Sequence, residues 1–118
     1  MNGDYARFRD GFAEAMDPAF HTIEELDEKV ASGAALLWFG DKSAIAAEVQ
    51  HYPGALVIHG LCATGDLDEI VGTLIPAAEA WGKSAGCTHA TIESREGWVR
   101  ILRKHGYSPH TVTVGKVL

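Results

Sequence analysis

The sequence predicts an α/β fold: a mixed, mostly antiparallel sheet with helices on both faces. Three observations predict it. Turn signals at Gly40-Asp41-Lys42 and Pro53-Gly54 separate apolar runs of strand length, which implies antiparallel neighbours. A long amphipathic stretch over residues 66–85 then joins one strand-like run to the next, as in a right-handed crossover between parallel strands. Finally, Gly86 to Tyr107 reads as strand, tight turn, basic helix and Gly-aromatic turn, a unit that needs further helix and sheet to cover it.

The elements follow in order. Phe8, Phe12 and Ala15 recur at helical spacing within Tyr5–Met16, and Asp17-Pro18 interrupts that first helix because proline lacks a donor and clashes with the preceding turn. Thr22 with Glu25 three residues on is a capping box. It opens a second helix with Ile23, Leu26 and Val30 inward, stopped at Gly33. Ala34–Phe39 is a continuous apolar run suited to a strand. Ser43–Tyr52 is read as its partner, with Ala46, Glu48 and Gln50 on one face, although its alanines suit a helix equally well. Ala55–Leu61 follows as a buried strand.

In the long helix over residues 66–85, Leu67, Ile70, Val71, Leu74, Ile75, Ala78 and Trp81 form the apolar stripe, and Pro76 should kink it. Asp66, Asp68 and Glu69 crowd its first turn, where negative charge complements the helix dipole. Gly86 ends that helix, Thr88–Ser94 alternates as a strand, and Trp98, Ile101 and Leu102 mark a short helix over residues 96–105 closed by Gly106. Val112, Val114 and Val117 alternate with polar residues and predict a terminal strand over Thr111–Leu118. With no repeat, low-complexity tract or linker, residues 1–118 are expected to form one domain, with N-terminal helices over 1–33 and a sheet core over 34–118.

Composition narrows the function. A net charge of −6 disfavours general nucleic-acid binding, which depends on neutralising phosphates. Arg95, Arg100, Arg103 and Lys104 are the local exception, and a solvated helix face accounts for them. No apolar run approaches the roughly 20 residues of a membrane span. The first residues lack the apolar core of a signal peptide, so a cytoplasmic location is expected. Cys62 and Cys87 have no metal-type spacing and sit among apolar residues, as reduced, buried thiols do. His51, His59, His89, His105 and His110 form no paired spacing, so no metal site is read; one of them could still act as a base. Arg95 stands at a strand–helix junction beside Gly97, placed either to bind a carboxylate or phosphate or to tie the helix to the sheet edge.

The order of elements, with Ala80-Trp81-Gly82-Lys83 followed by Gly86-Cys87, resembles the GNAT acetyltransferase superfamily over roughly residues 34–118. Its core is a mixed sheet split open around acetyl-coenzyme A. Ser94-Arg95-Glu96-Gly97-Trp98 with Gly106-Tyr107, Tyr52-Pro53 and Ala63-Thr64-Gly65-Asp66 are similar to signatures of small GNAT-like proteins of tailed phages and prophages. The resemblance implies an acetyl-coenzyme A site along Leu61, Cys62, Ala63, Thr64 and Gly65, with Arg95 nearby. It implies Glu48 or Glu93 as the carboxylate that deprotonates an amine, and Tyr107 near the position of the tyrosine acid, where packing is its other job.

The chain departs from the family at two points. Cys62-Ala63-Thr64-Gly65-Asp66-Leu67-Asp68-Glu69 carries one glycine, no cation and three carboxylates where family members have a glycine-rich, pyrophosphate-binding loop. The tyrosine position counted back from Gly106 falls on Leu102. Two functional classes follow. One is an N-acetyltransferase using acetyl-coenzyme A and an amine acceptor, its pocket completed by a homodimer. The other is a GNAT-like binding or assembly module without catalysis, acting in a phage particle or on a phage-protein partner.

Overall fold

Residues 3–118 are described by a computed structural model. In chain order it contains α1 (Gly3–Ala15), α2 (Ile23–Ser32), β1 (Leu36–Phe39), β2 (Ala44–Tyr52) and β3 (Ala55–Thr64). A long helix follows as α3 (Leu67–Glu69), a π-helical stretch (Ile70–Leu74) and α4 (Ile75–Ser84), and then β4 (His89–Ile92) and α5 (Glu96–Arg103). The strands lie in the order β1-β2-β3-β4, with the first two pairings antiparallel and β3–β4 parallel. This is the mixed, mostly antiparallel sheet that the turn signals and the long crossover helix imply.

Alternation along β2 places a core on each face. Ala44 and Ala46 meet Tyr5, Phe8 and Phe12 of α1 and Leu26 of α2. Ile45 and Ala47 meet Ile70, Val71, Leu74, Ile75 and Ala78 of the long helix and Leu102 of α5. Small residues on a strand buried on both faces let the two helical layers approach, so the alanines belong to a strand rather than a helix. The same closeness fixes Gly82, since a Cβ there would stand 2.9 Å from Ile58 Cγ2.

Local signals hold at the helix ends. Thr22 Oγ1 accepts the Glu25 N–H at 3.4 Å, and Gly33, Gly86 and Gly106 take φ of 81°, 93° and 89°, closing the helices before them. β1 starts at Leu36 rather than Ala34, because the Ala35 N–H is still spent on the Lys29 carbonyl of α2. Before Pro76 the helix widens to the π-helical stretch, where the Ile75 N–H reaches back to the Ile70 carbonyl. That widening is how the helix accommodates a proline that brings no donor of its own.

The predicted terminal strand is not formed. Thr111–Leu118 is irregular and exposed along its length, while the outer edge of β4 pairs with no strand among the described residues. Alternation selects an extended conformation, but only a partner supplies the ladder. No helix among the described residues is long and apolar enough to cross a membrane.

α1 is tied to α2 by a polar cluster that no spacing announces. Arg9 grips Asp27 through Nε at 3.0 Å and Nη2 at 2.7 Å, and the buried Tyr5 hydroxyl donates to Asp27 Oδ1 at 2.6 Å. The Arg9 bond, then the Tyr5 bond, hold the Asp27 carboxyl below its ordinary range. A depressed carboxylate stabilises the fold fully above its unfolded pKa of about 3.9, and that contribution is lost as pH falls through the lower folded value. Asp27→Asn is therefore expected to flatten the acid limb of the stability curve below about pH 4. Urea midpoints measured from pH 7 down to 3 check it, and parallel curves for both proteins would reject the assignment.

Candidate active site

Cross-strand register builds the site. Glu48 of β2 lies opposite His59 of β3, and His59 lies opposite Thr91 of β4. The three form a polar row on the sheet face covered by α2, from which Lys29 reaches Glu48 at 2.8 Å. His59 Nδ1 meets Thr91 Oγ1 at 2.7 Å, and Nε2 stands 3.7 Å from Glu93 just beyond β4. In the tautomer whose Nδ1–H donates to Thr91, Nε2 keeps a free lone pair. Its side chain is 12% exposed against 81% for Glu93, so a mostly covered ring faces a solvated carboxylate.

The strands then part. β3 pairs with β4 only from Val57↔His89 to Gly60↔Ile92, yet runs on to Thr64 against β2. A bulge begins the divergence: Ala46 pairs with Cys62 and Ala47 with Gly60, leaving Leu61 unpartnered. One extra residue bends and twists a strand locally. Below the parting lies a cavity of about 880 Å³, lined from one face by Lys29, Glu48 and His59 and from the other by Ile58, Trp98 and Tyr107. It therefore joins the two faces through the gap.

Glu48, Glu93 and Tyr107 all line this cavity, as do Leu61, Cys62, Ala63 and Arg95. Their chemistry differs. Burial pushes the Glu48 carboxyl up, but the bonds from Lys29 and Gln50 outweigh it and hold the group below its usual range. A carboxylate held ionised by an ammonium is a poor proton acceptor. Tyr107 donates to Glu79 Oε2 at 2.6 Å; burial, then that bond, push its hydroxyl up, so its proton is held firmly. Burial alone pushes the Cys62 thiol up to about 12, which leaves it unreactive near neutral pH. Arg95 is the exposed cap residue of α5 and makes no side-chain cap bond.

Thr64 and Gly65 do not line the cavity. Thr64 is in contact with Gly11 of α1, where a Cβ could not fit. Gly65, at φ 114°, lies so close to Lys42 and Ser43 that a Cβ there would overlap both. Packing, not approach to a ligand, requires this glycine. The acidic turn beside it is likewise spent internally. Asp66 Oδ2 accepts the Glu69 N–H at 3.0 Å, buried Ser43 accepts the Asp66 N–H at 2.8 Å, and Glu69 accepts the Asp41 and Lys42 N–H groups at 3.1 and 2.9 Å.

His59 is the residue that sequence reasoning did not single out. Its spacing is as unremarked as that of the other histidines; the available signal was Thr91-x-Glu93, which starts on the strand parallel to its own and ends just past it. Trp38 packs edge-on to Trp81 with centroids 6.0 Å apart, and Trp98 is half-buried against the long-helix core.

Neither a family model nor a curated protein matches the sequence. Solved structures do match. A protein from Bacillus halodurans described as a transcriptional regulator superposes with a TM-score of 0.73 at 11% identity, covering 100% of this chain and 95% of that one. A GNAT family acetyltransferase from Staphylococcus aureus gives 0.63 at 12% identity, covering 100% and 95%. The chain has the GNAT acetyltransferase fold. The aminoglycoside N-acetyltransferase AAC(6')-Iy, solved in complex with CoA, gives 0.66 at 13% identity, covering 98% and 91%. At such identity the likeness is one of GNAT fold, and chemistry has to be argued from the side chains.

Proposed function

We propose that this GNAT-fold chain is an N-acyltransferase that moves an acetyl group from acetyl-coenzyme A to an amine. The observation that carries it is the parting of β3 and β4 above a cavity with His59 in its wall. Leu61, Cys62 and Ala63, on the strand that has lost its β4 neighbour, would hold the pantetheine arm, and Arg95 at the mouth would meet a phosphate. When bound, the coenzyme supplies an activated thioester. As the amine nitrogen bonds to the acetyl carbon and the C–S bond breaks, His59 Nε2 would take the amine proton, with Thr91 orienting the ring through Nδ1 and Glu93 stabilising the imidazolium, which would then return that proton to the departing thiolate or to solvent. Glu48, ionised and paired with Lys29, shapes the acceptor wall.

The residues fit the arm better than the diphosphate. Asp66, Asp68 and Glu69 stand at the helix start with no cation among them. The α3 amide of Glu69 is already bonded within the turn. This supports a second reading, in which the GNAT fold serves as a binding or assembly module, in a phage particle or on a phage protein, without turnover.

Calorimetry with acetyl-coenzyme A separates the two. The enzyme reading expects saturable heat, with affinity rising from low to moderate salt as carboxylate repulsion is screened. Asp68→Asn should tighten binding by about 3- to 10-fold, from removal of one exposed like charge near the diphosphate. Absence of heat at millimolar ligand in both proteins would sink it.

A further inference from the structure

β3 and β4 run parallel, so Leu61–Ala63 and Arg95 leave the sheet at the same end, where α3 and α5 begin. The mouth of the cavity therefore has two rims of opposite sign. One is the turn carrying Asp66, Asp68 and Glu69, which opposes the diphosphate and the ribose phosphate of a coenzyme A nucleotide. The other is α5. Arg95 lines the cavity, and Arg100, Arg103 and Lys104 continue along the helix. All four are exposed, and their side chains make no hydrogen bond or ion pair among the described residues. Trp98, Ile101 and Leu102 pack against the core, so the cations cover the outer face, where Glu96 is the one carboxylate of the helix.

We propose that the preferred acyl donor of this site is a phosphopantetheine arm borne on a serine of an acidic carrier protein, which docks on the outer face of α5. The proposal rests on the acyl-transfer reading above; it changes the class of donor and leaves the reacting atoms as they are. Three features choose this occupant. The wall at Leu61, Cys62 and Ala63 suits the arm, whereas the acidic rim opposes a nucleotide. An arm borne on a protein ends in a single phosphodiester, one charge for Arg95 to meet, and brings no diphosphate to place. Arg100, Arg103 and Lys104 then remain for carboxylates of the carrier itself, as charge complementarity requires. Finally, four of the 10 lysines and arginines fall between positions 95 and 104 of a chain whose net charge is −6. An acidic partner is repelled from the rest of the surface and steered to the face beside the mouth, with its arm over the cavity. On transfer the amine nitrogen bonds to the acyl carbon as the C–S bond breaks. The amine proton passes through His59 to the departing thiolate or to solvent, and the carrier leaves with a free thiol on its arm.

Calorimetry tests this with four probes: S-acetyl-phosphopantetheine, acetyl-coenzyme A, a fatty-acid carrier protein loaded with the acetylated arm, and the same carrier with its serine bare. The loaded carrier is expected to bind about 10-fold or more tightly than either small thioester, and to weaken from low to moderate salt. Arg100→Glu/Arg103→Glu should weaken the loaded carrier by about 10-fold or more, with unchanged affinity for the free arm and unchanged far-ultraviolet circular dichroism. Three results overturn the proposal. Acetyl-coenzyme A binding as tightly as the loaded carrier makes the nucleotide the better donor and leaves the acyl-transfer reading standing. A bare carrier that binds as tightly as the loaded one shows charge attraction without use of the arm. A loaded carrier indifferent to the charge reversal docks elsewhere. Absence of heat from all four probes removes the arm pocket, and the acyl-transfer reading falls with it.

Discussion

Replacement of His59 by glutamine is expected to lower kcat/KM for amine acylation by about 10²- to 10⁴-fold, the usual worth of a positioned general base. Glutamine can keep a hydrogen bond to Thr91 but cannot take up a proton, so the change tests chemistry rather than packing. The alternatives are weaker. Glu48 is tied to Lys29 at 2.8 Å and held ionised, and Tyr107 keeps its proton for Glu79. Glu93→Gln should cost on the order of tenfold or less, because a carboxylate so exposed, 3.7 Å from the ring, interacts through solvent. Thr91→Val should lower kcat with little change in KM, since Thr91 positions the ring without touching the amine. Steady-state rates against pH for the three variants, with acetyl-coenzyme A affinity measured alongside, give the test. Wild-type kcat/KM in His59→Gln at unchanged affinity would remove His59 from the chemistry.

The second large effect concerns the fold. Phe12→Ala is expected to destabilise the chain by about 3–5 kcal/mol, the cost of emptying an aromatic site in a packed core. Phe12 is 0% exposed and stacks on Tyr5 with centroids 6.1 Å apart. It fills the space between α1 and the alanine face of β2, where small partners have no side-chain atoms with which to close a void. A domain of this size is stable by about 5–15 kcal/mol, so the variant sits at the margin of folding. Urea unfolding at neutral pH measures the difference. A loss below about 1 kcal/mol would mean that α1 is not docked as described and that the α2 wall of the cavity is held some other way.

Much of the architecture was legible because it depends on consecutive residues. The stops at Gly33, Gly86 and Gly106 and the cap at Thr22 each involve one turn of chain and appear where the spacing put them. The face of β2 that carries Glu48 and Gln50 was also legible, whereas Glu48 became a candidate base only through the family resemblance. What local signal did not reach was non-local structure. Asp66, Asp68 and Glu69 stand at the helix start as the charge pattern puts them, with Asp66 as the cap, but nothing local announced that Glu69 also binds the β1–β2 turn, 27 positions from its Lys42 partner. The valines after Thr111 read as a strand, and a strand exists only where a partner edge is in reach.

By itself, then, the sequence determined the order of helices and strands as far as α5, their caps and turns, and the two-sided sheet, since periodicity and turn chemistry act within a few residues. Tertiary structure alone decided the bulge at Leu61, the parting of β3 from β4, and the meeting of His59 with Thr91, whose positions lie 32 apart in the chain. Those depend on register between distant strands. A shift of one residue would turn His59 to the opposite face of the sheet, and no local pattern in the sequence encodes that choice.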